Sequence, residues 1–539
     1  MSSHYKWYPS SEEVVVPWNA RYSFPSQANK AIKITPRIPP KSGQTFAPGQ
    51  IIRLEFPAQG YVNPTNTTLE FDVTIVGPTY STAGNEYVVR FQNNIQSLFQ
   101  RVRLLYGATP LEDILNYNVI VRCLTEWTST NQIATFDDKS INEGIGHWVF
   151  GADQINNFGL VNTRQTYIHG VQSITPAVAA NITGGTQIAA VVPNGAAPLP
   201  GVVVPAGALA ATRRYQVNFA LGLFTQDKLI PVKFMASQLA IEITLETAQG
   251  CMFYQWYDPR SGTESTLPTY YVGNVNLIPE ILEFDSSYDA MFLRGLREGG
   301  VPIKFSSWHS FFFSSANSSS INLLIQERSR SVKALFAVQR QAQYNLGFDN
   351  GATFFDTGST GASSLQTFQF RIGGRYFPAA PVQTSTALGS AISNGGAEAY
   401  VELLKALNRV GDTRLSPSVN TLRWALQHSG LLNIYDTQWA FNGYGVNGVS
   451  VTTAVTNGTN AFCGNLASAC FGMAIDLETS NGMEISGLNA EEQSDIALLA
   501  NWSAPQVTAG FATASSIEVY SYYDAMIVLR ENNVLELIQ

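Results

Sequence analysis

Short runs in which apolar and polar residues alternate dominate both halves of the chain. Residues 52–56 read Ile-Arg-Leu-Glu-Phe and residues 69–75 read Leu-Glu-Phe-Asp-Val-Thr-Ile, with Pro, Gly and Asn clusters between such runs. A period of two is typical of β-strands that bury one face. The pattern restarts in the second half, at residues 303–314, 321–326, 332–339 and 517–538. An all-β fold is therefore predicted.

A few short helices interrupt the predicted strands. Residues 109–112, Thr-Pro-Leu-Glu, have the form of a capping box with proline at the first helical position. The apolar residues after it fall on one helical face: Ile114, Tyr117, Val121 and Leu124. A helix is also predicted over 397–410, whose apolar stripe comprises Tyr400, Leu403, Leu404 and Leu407. Another short helix, near 285–300, ends at a Gly-Gly pair that suits a joint between domains.

The length of the chain fits two large sandwiches. At 539 residues it exceeds one ordinary domain, and all-β sandwiches often reach about 200 to 250 residues each. We predict an extended N-terminal arm over 1–44, a first sandwich over 45–299 and a second over 300–539. The uncharged stretch 165–212 is predicted to be a long loop folded over the end of the first sandwich, with a mobile insertion as the alternative.

Charge changes this picture in two ways. Charged residues make up 13% of the chain, about half of the typical share, which favours a surface covered by neighbouring subunits. A net charge of -8 argues against a protein whose main work is wrapping nucleic acid. The arm differs, since its charge is 6 - 2 = +4, from Lys6, Arg21, Lys30, Lys33, Arg37 and Lys41 against Glu12 and Glu13. It could touch an anionic membrane or genome, although strapping onto a neighbouring subunit is the favoured interpretation.

Neither export nor a membrane span is predicted. The N-terminus lacks the basic start and long apolar core of a signal peptide, and five prolines break the stretch 165–212. None of the four cysteines, Cys123, Cys251, Cys463 and Cys470, forms a Cys-x-x-Cys pair, so free buried thiols are predicted. That suits a reducing compartment.

Candidate chemistry was sought and no catalytic, cofactor-binding or metal-binding residue is predicted. The scattered histidines show no metal-ligand spacing: His4, His147, His169, His309 and His428. Residues 443–448 match a dinucleotide loop in letters, but a β-prone run follows them where a helix is needed. The acidic pairs Glu491 with Glu492 and Asp476 with Glu478 are interpreted as solvated surface residues. Five sequons, at Asn66, Asn181, Asn317, Asn457 and Asn501, are interpreted as silent without secretion.

Two spaced matches hint at an internal duplication. Residues 288–291 and 523–526 both read Tyr-Asp-Ala-Met, an offset of 523 - 288 = 235, and Ser97 and Ser331 lie 331 - 97 = 234 apart. Roughly one or two four-residue identities arise by chance in a chain this long, so this repeat is weak evidence.

Several phrases in the chain, taken in order, resemble one protein family. In the first half these are residues 97–107 and the Asn-Tyr-Asn at 116–118. In the second half they are residues 331–336, 370–378, 397–410, 475–478, 486–489 and the Tyr-Asp at 523–524. Together they resemble the double jelly-roll major capsid proteins of Polinton-like viruses and virophages, of the giant-virus and adenovirus-hexon lineage.

The resemblance implies two tandem eight-stranded jelly rolls per chain and no enzymatic activity. It implies homotrimers that form pseudo-hexameric capsomers, which tile an icosahedral shell around double-stranded DNA together with minor capsid proteins such as a penton. The expected location is the virion, assembled inside the host cell, with no small-molecule substrate and no cofactor.

Two alternatives stay open from the sequence. A carbohydrate-binding sandwich, spike-like or lectin-like, would use exposed aromatic residues such as Trp7, Trp127 and Trp256 as a sugar platform. A β-sandwich glycosidase would need two acids that converge in a cleft.

Overall fold

The computed structural model places strands throughout both halves of the chain. The ranges that the structure describes are 31–77, 79–80, 87–91, 95–128, 170–173, 198–205, 210–256, 264–314, 318–341, 365–384, 396–410, 471–478, 486–491, 495–502, 515–530 and 535–539. The predicted nucleotide-loop pattern at 443–448 and most of the predicted arm and of the predicted loop 165–212 lie outside these ranges.

The strands of the first half are β1 Ala31–Ile34, β2 Thr45–Phe46, β3 Ile51–Glu55, β4 Tyr61–Val76, β5 Thr79–Tyr80, β6 Tyr87–Phe91, β7 Phe99–Tyr106, β8 Thr109–Leu115, β9 Gly170–Ser173, β10 Ala210–Asn218, β11 Leu239–Leu245, β12 Met252–Trp256, β13 Glu264–Thr266 and β14 Thr269–Phe284. Those of the second half are β15 Val301–Ser314, β16 Ser320–Ile325, β17 Val332–Gln341, β18 Leu365–Ile372, β19 Arg375–Gln383, β20 Met473–Asp476, β21 Ile496–Trp502, β22 Ser515–Leu529 and β23 Leu535–Ile538.

The described helices are short. They are α1 Tyr117–Thr128, α2 Gly222–Thr225, α3 Ala248–Cys251, α4 Ser286–Glu298 and α5 Ala397–Ala406, with 3-10 turns at Ile95–Leu98 and Val232–Phe234. The predicted helices near 285–300 and 397–410 are confirmed by α4 and α5. Asp285 caps α4 by accepting a hydrogen bond from the backbone N–H of Tyr288, at 3.1 Å.

The strands form two sandwiches, each made of two facing sheets. In the first, sheet A has the order β1-β14-β4-β10, with β2 also on β14, and sheet B has the order β3-β11-β7-β8. In the second, sheet C has the order β15-β22-β17-β20, with β23 also on β22, and sheet D has the order β16-β21-β18-β19. Two small sheets, β12-β6-β9 and β13-β5, accompany the first sandwich.

Both sandwiches have the same topology. When the eight principal strands of each are numbered along the chain, with β1 and β2 together as the first, one sheet has the order 1-8-3-6 and the other 2-7-4-5. This interleaving of consecutive strands between two antiparallel sheets is the jelly roll. The predicted fold class, an all-β protein of two tandem jelly rolls with a few short helices, is confirmed.

Alternation along each strand explains how the sheets bury their faces. In β3, Ile52 and Leu54 are buried while Arg53 between them is partly exposed. The two facing sheets meet through large side chains, as where the Phe71 ring of sheet A lies 5.7 Å from the Phe99 ring of sheet B. Most of the buried apolar residues of both sandwiches belong to one contiguous cluster.

The predicted capping box at residues 109–112 is wrong. These residues belong to strand β8, which pairs with β7, and the helix begins only at Tyr117. Pro110 is tolerated because β8 is an edge strand, where a missing N–H breaks no ladder. Between strand and helix, Asn116 takes a left-handed φ of 51°, a turn that a continuous helix would not contain.

The two sequence matches that hinted at duplication do not join equivalent positions. Residues 288–291 lie in helix α4, whereas 523–526 lie in strand β22. Ser97 precedes β7, the fourth principal strand, whereas Ser331 precedes β17, the third. Equivalent strands are offset by varying amounts, such as 320 - 51 = 269 for β3 and β16 but 515 - 269 = 246 for β14 and β22. A fixed-offset search therefore cannot detect this repeat.

Candidate functional site

The junction between the two sandwiches is built around a buried polar arrangement that unites distant parts of the chain. At its centre Glu112 of β8 is 2% exposed. Its carboxylate accepts hydrogen bonds from the backbone N–H groups of Gly222 and Leu223, at 2.7 and 2.8 Å. The hydroxyl of Ser307, on β15 of the second sandwich, also donates to it, at 2.5 Å. One side chain thus links both sandwiches.

Burial raises the pKa of the Glu112 carboxyl above its ordinary value, although the hydrogen bonds from Ser307, Leu223 and Gly222 act in the opposite direction. Transferring a charged carboxylate from water into this site is costly, and the three donors offset part of that cost. The junction therefore contains a buried acid that is held by donors from both sandwiches.

Helix α1 of the first sandwich and the residue before it extend the junction to sheet C. The Trp127 ring stacks on Phe336 of β17, with centroids 5.9 Å apart and planes 20° from parallel. The hydroxyl of Tyr520, on β22, donates to the carbonyl of Asn116 at 3.1 Å. At the edge, the Ser310 hydroxyl accepts from the backbone N–H of Leu115 at 3.0 Å. Apolar stacking and directed hydrogen bonds together fix how the sandwiches lie against each other.

Beside the junction lies an open cleft of about 660 Å³. Its walls include Lys228 and Asp227 from the first sandwich and Lys304, Lys333 and Asp524 from the second. Asp524 accepts hydrogen bonds from the hydroxyls of Ser306 and Ser331, and Lys333 lies 3.6 Å from it. Charges of both signs line this cleft, and Asp524 is already compensated within the chain.

The described part of the predicted arm lies on the first sandwich of its own chain. Strand β1 pairs with β14, from Ala31 opposite Phe284 to Ile34 opposite Ile281. The basic residues that follow pair with carboxylates of the same sandwich: Lys33 with Glu280, Arg37 with Glu70 and Lys41 with Glu55. Three of the six basic groups that the arm contributes are therefore compensated within the chain.

Of the histidines singled out from the sequence, His309 alone falls within the described residues. Its Nδ1 lies 3.2 Å from the carboxylate of Glu327, a buried residue that also accepts from the backbone N–H groups of Arg328 and Ser329. Burial alone would raise the pKa of Glu327, but hydrogen bonds from His309 and Ser329 outweigh it and hold that pKa at about 2. The pair supports a structural role for His309.

The acidic pair Asp476 and Glu478 does not converge on the cleft, since neither residue lines it. Burial raises the pKa of Asp476, whereas the Glu478 carboxylate lies 3.0 Å from Lys333 and accepts from the Ser486 hydroxyl. Glu491 pairs with Arg330 at 2.8 Å, and Glu492 lies outside the described residues. These contacts are those of structural ion pairs.

Cys123 and Cys251 are buried, as predicted, and Cys463 and Cys470 lie outside the described residues. Within the part of the chain that the structure describes, no three His, Cys, Asp or Glu side chains are grouped as metal ligands. Likewise, no described helix has the length and apolar composition needed to cross a membrane.

Trp127 cannot serve as a sugar platform, because it is 2% exposed and stacked in the junction. Trp7 and the side chain of Trp256 lie outside the described residues. Among the sequons, the amide of Asn66 donates to Glu280 and that of Asn501 donates to Thr367. Those at Asn181, Asn317 and Asn457 lie outside the described residues.

Sequence reasoning missed the junction itself. The sequence pattern predicts a helix cap that includes Glu112 and a possible surface aromatic at Trp127, and it gives no signal at Tyr520. A buried glutamate in an apolar strand, Leu-Glu-Asp-Ile-Leu, was the available signal, since such a residue requires donors from elsewhere in the chain.

The chain is a tandem jelly-roll protein in which the first sandwich covers one sheet of the second.

No protein-family model matches it, and a search of curated proteins returns no match. Similar solved structures include the Sputnik virophage, at 11% identity and a TM-score of 0.49, covering 98% of this chain and 92% of that one. The mavirus major capsid protein is 8% identical with a TM-score of 0.48, covering 100% and 95%. The PBCV-1 virus capsid is 11% identical with a TM-score of 0.47, covering 96% and 99%.

Proposed function

We propose that this chain is a major capsid protein, the repeated subunit of an icosahedral viral shell, with no enzymatic activity. The observation that carries the proposal is the pair of jelly rolls with identical strand order, held in one arrangement by the junction at Glu112 and Trp127. The jelly roll is a recurrent architecture of viral capsid domains. A rigid pair of jelly rolls therefore forms a building block with two similar halves.

The two similar halves explain the proposed oligomer. Three copies arranged around a closed threefold axis present six similar sandwiches, which gives a nearly hexagonal outline from a trimer. Hexagonal units tile a surface with few kinds of contact. A chain with 13% charged residues suits this role, because its sides become covered by neighbours.

The division of the chain belongs to the same proposal: an arm over 1–44, a first jelly roll over 45–299 that carries the loop 165–212, and a second over 300–539. Helix α4 ends at Glu298 and Gly300 has a φ of 87°, a left-handed turn that favours glycine. An added Cβ at Gly300 would lie 2.9 Å from the carbonyl oxygen of Leu529. This turn supports a boundary at 299.

We further propose a double-stranded DNA genome, minor capsid partners such as a penton, and location in the virion after assembly inside the host cell. Contact of the arm with an anionic membrane or the genome is the less favoured role. Residues 1–30 contribute Lys6, Arg21 and Lys30 against Glu12 and Glu13, a net of 3 - 2 = +1. Such a small charge attracts phosphate weakly, so strapping onto protein is favoured.

Size-exclusion chromatography with light scattering tests the proposal. The expected mass is that of a trimer, 3 × 58.8 = 176.4 kDa, and negative-stain images should show particles with a hexagonal outline. A stable monomer of 58.8 kDa across protein concentrations and salt conditions would contradict it. A glycan array, expected to show no binding, distinguishes the carbohydrate-binding alternative.

A further inference from the structure

The outward faces of the first sandwich satisfy their charges with residues of the same sandwich. Sheet B carries a charged row that alternates in sign across its four strands: Arg53, Glu242, Arg103 and Asp113. Arg103 pairs with Glu242 within this row. On sheet A, Arg214 of β10 pairs with Asp72 of β4 at 2.7 Å. Paired charges suit a face that lies near water, and these pairs form without the second sandwich.

An aromatic cluster at one end of sheet A is also covered from within the first sandwich. The Tyr61 ring meets the rings of Phe284, Tyr288 and Phe292 at centroid distances of 5.2, 5.5 and 5.6 Å. Tyr288 and Phe292 belong to α4, which follows β14 directly. The Tyr61 hydroxyl donates to Asp289 of the same helix at 3.0 Å. Helix α4 therefore completes the first sandwich, although it leads to the second.

The centre of sheet C, by contrast, is buried against the first sandwich. The Trp308 ring lies 5.4 Å from that of Phe336, and the two residues are 8% and 1% exposed. Trp127 of α1 stacks on Phe336, while α5 packs at the β20 edge of the same sheet. Gly222 of α2 approaches Ser306 so closely that an added Cβ would lie 2.0 Å from its carbonyl oxygen. Without the first sandwich, sheet C would expose aromatic surface to water.

Helix α1 is anchored in the first sandwich at its N-terminal end and contacts the second at its C-terminal end. The Tyr117 hydroxyl donates to Gln96 at 3.0 Å and accepts from the backbone N–H of Ala220 at 2.7 Å. At the other end, the Arg409 guanidinium donates to the Thr128 carbonyl at 2.9 Å. A helix of 12 residues is marginal alone in water, so it needs an anchor to form. The contacts of Tyr117 with Gln96 and Ala220 supply that anchor without the second sandwich.

We propose that the first sandwich is the template on which the second one folds. Sheets A and B become ordered first, and sheet C becomes ordered only as it docks on α1 and α2. Both sandwiches have the same strand order, so topology alone gives neither a clear advantage in folding rate. The difference in cover decides the order, because sheet C buries aromatic side chains against the other sandwich whereas sheets A and B are completed by their own. This order holds whether or not the chain builds a shell.

Native-state hydrogen exchange of the full chain tests this dependence without any substitution. At urea concentrations below the unfolding midpoint, amides of β15, β17 and β22 should exchange through an opening that leaves those of β4, β7, β11 and β14 protected. Mass spectrometry of peptides from each strand measures both sets in one sample. An opening of sheets A and B that leaves sheet C protected would overturn the proposal, as would a single opening that exposes both sandwiches together.

Gly222→Ala, with Gly299→Ala as its matched control, tests the template during refolding. The atoms nearest to an added Cβ at Gly222 belong to Phe305 and Ser306 of the second sandwich, whereas no atom lies within 4 Å of one at Gly299. In pulse-labelled hydrogen exchange during refolding from urea, Gly222→Ala should slow the protection of sheet C about tenfold and leave sheets A and B at the wild-type rate. Gly299→Ala should change neither rate.

A Gly222→Ala chain that does not reach the native state also distinguishes the outcomes. Its sheets A and B should then become protected while sheet C stays open, and a loss of protection in both sandwiches would contradict the template. The milder variant Trp127→Phe should slow the protection of sheet C about threefold, with sheets A and B unchanged. A wild-type rate for sheet C in both Gly222→Ala and Trp127→Phe would equally overturn the proposal.

Discussion

Sheets A and C have the same place in their two sandwiches, yet different chemistry covers their outward faces. On sheet A, the nearly buried carboxylates Glu70 and Asp72 lie beneath the longer side chains of Arg37 and Arg214. On sheet C, the buried ring of Phe336 and its aromatic neighbours lie beneath helix α1 of the other sandwich. One face is sealed by ion pairs from nearby segments, the other by apolar stacking between sandwiches.

This difference shows that the jelly-roll topology does not determine which kind of contact covers its outer faces. Burial alone would raise the pKa of Asp72, but hydrogen bonds from Arg214 and Asn274 hold it below its ordinary value. Such ion pairs are screened by salt and lost on protonation of the acid, whereas apolar contacts are neither screened nor titrated. Salt and low pH should therefore weaken the contacts that cover sheet A, whereas changes in side-chain volume should weaken the contacts that cover sheet C.

The largest effect is expected from Trp127→Ala, which removes the ring that seals sheet C. Truncating a buried tryptophan leaves a cavity and costs about 3 to 5 kcal/mol. Urea unfolding should show this loss with no dependence on salt concentration. Tyr376→Ala is the control, because that ring is 48% exposed and its removal should change the free energy of unfolding by about 0.5 kcal/mol or less.

Gly472→Ala sharpens the same test. A Cβ at this position would lie 2.4 Å from Cζ2 of Trp127, so overpacking should cost about 1 to 3 kcal/mol. In the Trp127→Ala variant the indole ring is absent, so adding Gly472→Ala should lower the free energy of unfolding only slightly. Equal costs in both backgrounds would contradict the stacked arrangement of the junction.

The next effect is expected at Glu327, whose pKa of about 2 lies below its ordinary value of 4.5. A lowered acid pKa contributes stability that is fully present above the unfolded pKa and is lost as the pH falls through the folded pKa. A shift of this size corresponds to about 3 kcal/mol. Glu327→Gln should lose roughly that amount at neutral pH, and the difference from wild type should shrink as the pH falls from about 4.5 towards 2.

Glu491→Gln is the control for this measurement, because Glu491 forms a half-exposed pair with Arg330 that should contribute little. Chemical unfolding in a series of buffers gives the difference at each pH. A constant difference between Glu327→Gln and wild type over the acid range would show that His309 and Ser329 do not hold the carboxylate as described.

Glu112→Gln is expected to have a smaller effect with the opposite pH dependence. Its pKa is raised by burial, so its contribution is fully present below the unfolded pKa and is lost as the pH rises through the folded pKa. The loss should be about 1 kcal/mol at acid pH, because the amide of Gln, like a protonated carboxyl, keeps one oxygen that accepts from the Gly222 or Leu223 N–H group. The difference should shrink as the pH rises.

The pH dependences of the Glu327→Gln and Glu112→Gln variants can therefore be compared in one experiment. Both lie at or near sheet C, yet the destabilisation should fade towards acid for Glu327→Gln and towards alkali for Glu112→Gln. Measuring both variants in the same buffers removes shared effects of pH on the rest of the chain. Parallel slopes would contradict the difference in environment, namely that Glu327 faces His309 whereas Glu112 accepts from uncharged donors.

Much of the fold could be predicted from the sequence, because strand alternation is local. The run at 52–56 placed β3, and the apolar stripe at 397–410 placed α5. The capping-box pattern at 109–112 failed because the same letters suit an edge strand once β7 is available to pair with it. Tyr-Asp-Ala-Met forms a helix at 288–291 and a strand at 523–526, which shows that tertiary contacts outweigh a four-residue preference.

The junction could not be predicted, because its partners are far apart in the chain. Glu112 and Ser307 are separated by 195 positions, and Tyr520 and Asn116 by 404. The charged row on sheet B has the same origin, since only the strand register shows that Arg53, Glu242 and Arg103 lie side by side. Local patterns reveal which side chains point outward, but not which neighbours they meet.

The smallest effect is expected where ion pairs seal sheet A. Lys33 and Arg37 are 58% and 60% exposed, and such pairs contribute between about 0 and 1 kcal/mol each. The double variant Lys33→Ala with Arg37→Ala should therefore lose about 1 kcal/mol at low salt. In 1 M salt, where the screening length is about 3 Å, it should unfold like wild type. Arg294→Ala, which breaks the exposed pair with Glu298 on α4, controls for loss of surface charge away from sheet A. A loss that persists in 1 M salt would mean that these side chains act on sheet A through apolar packing, and the contrast with sheet C would then be one of degree.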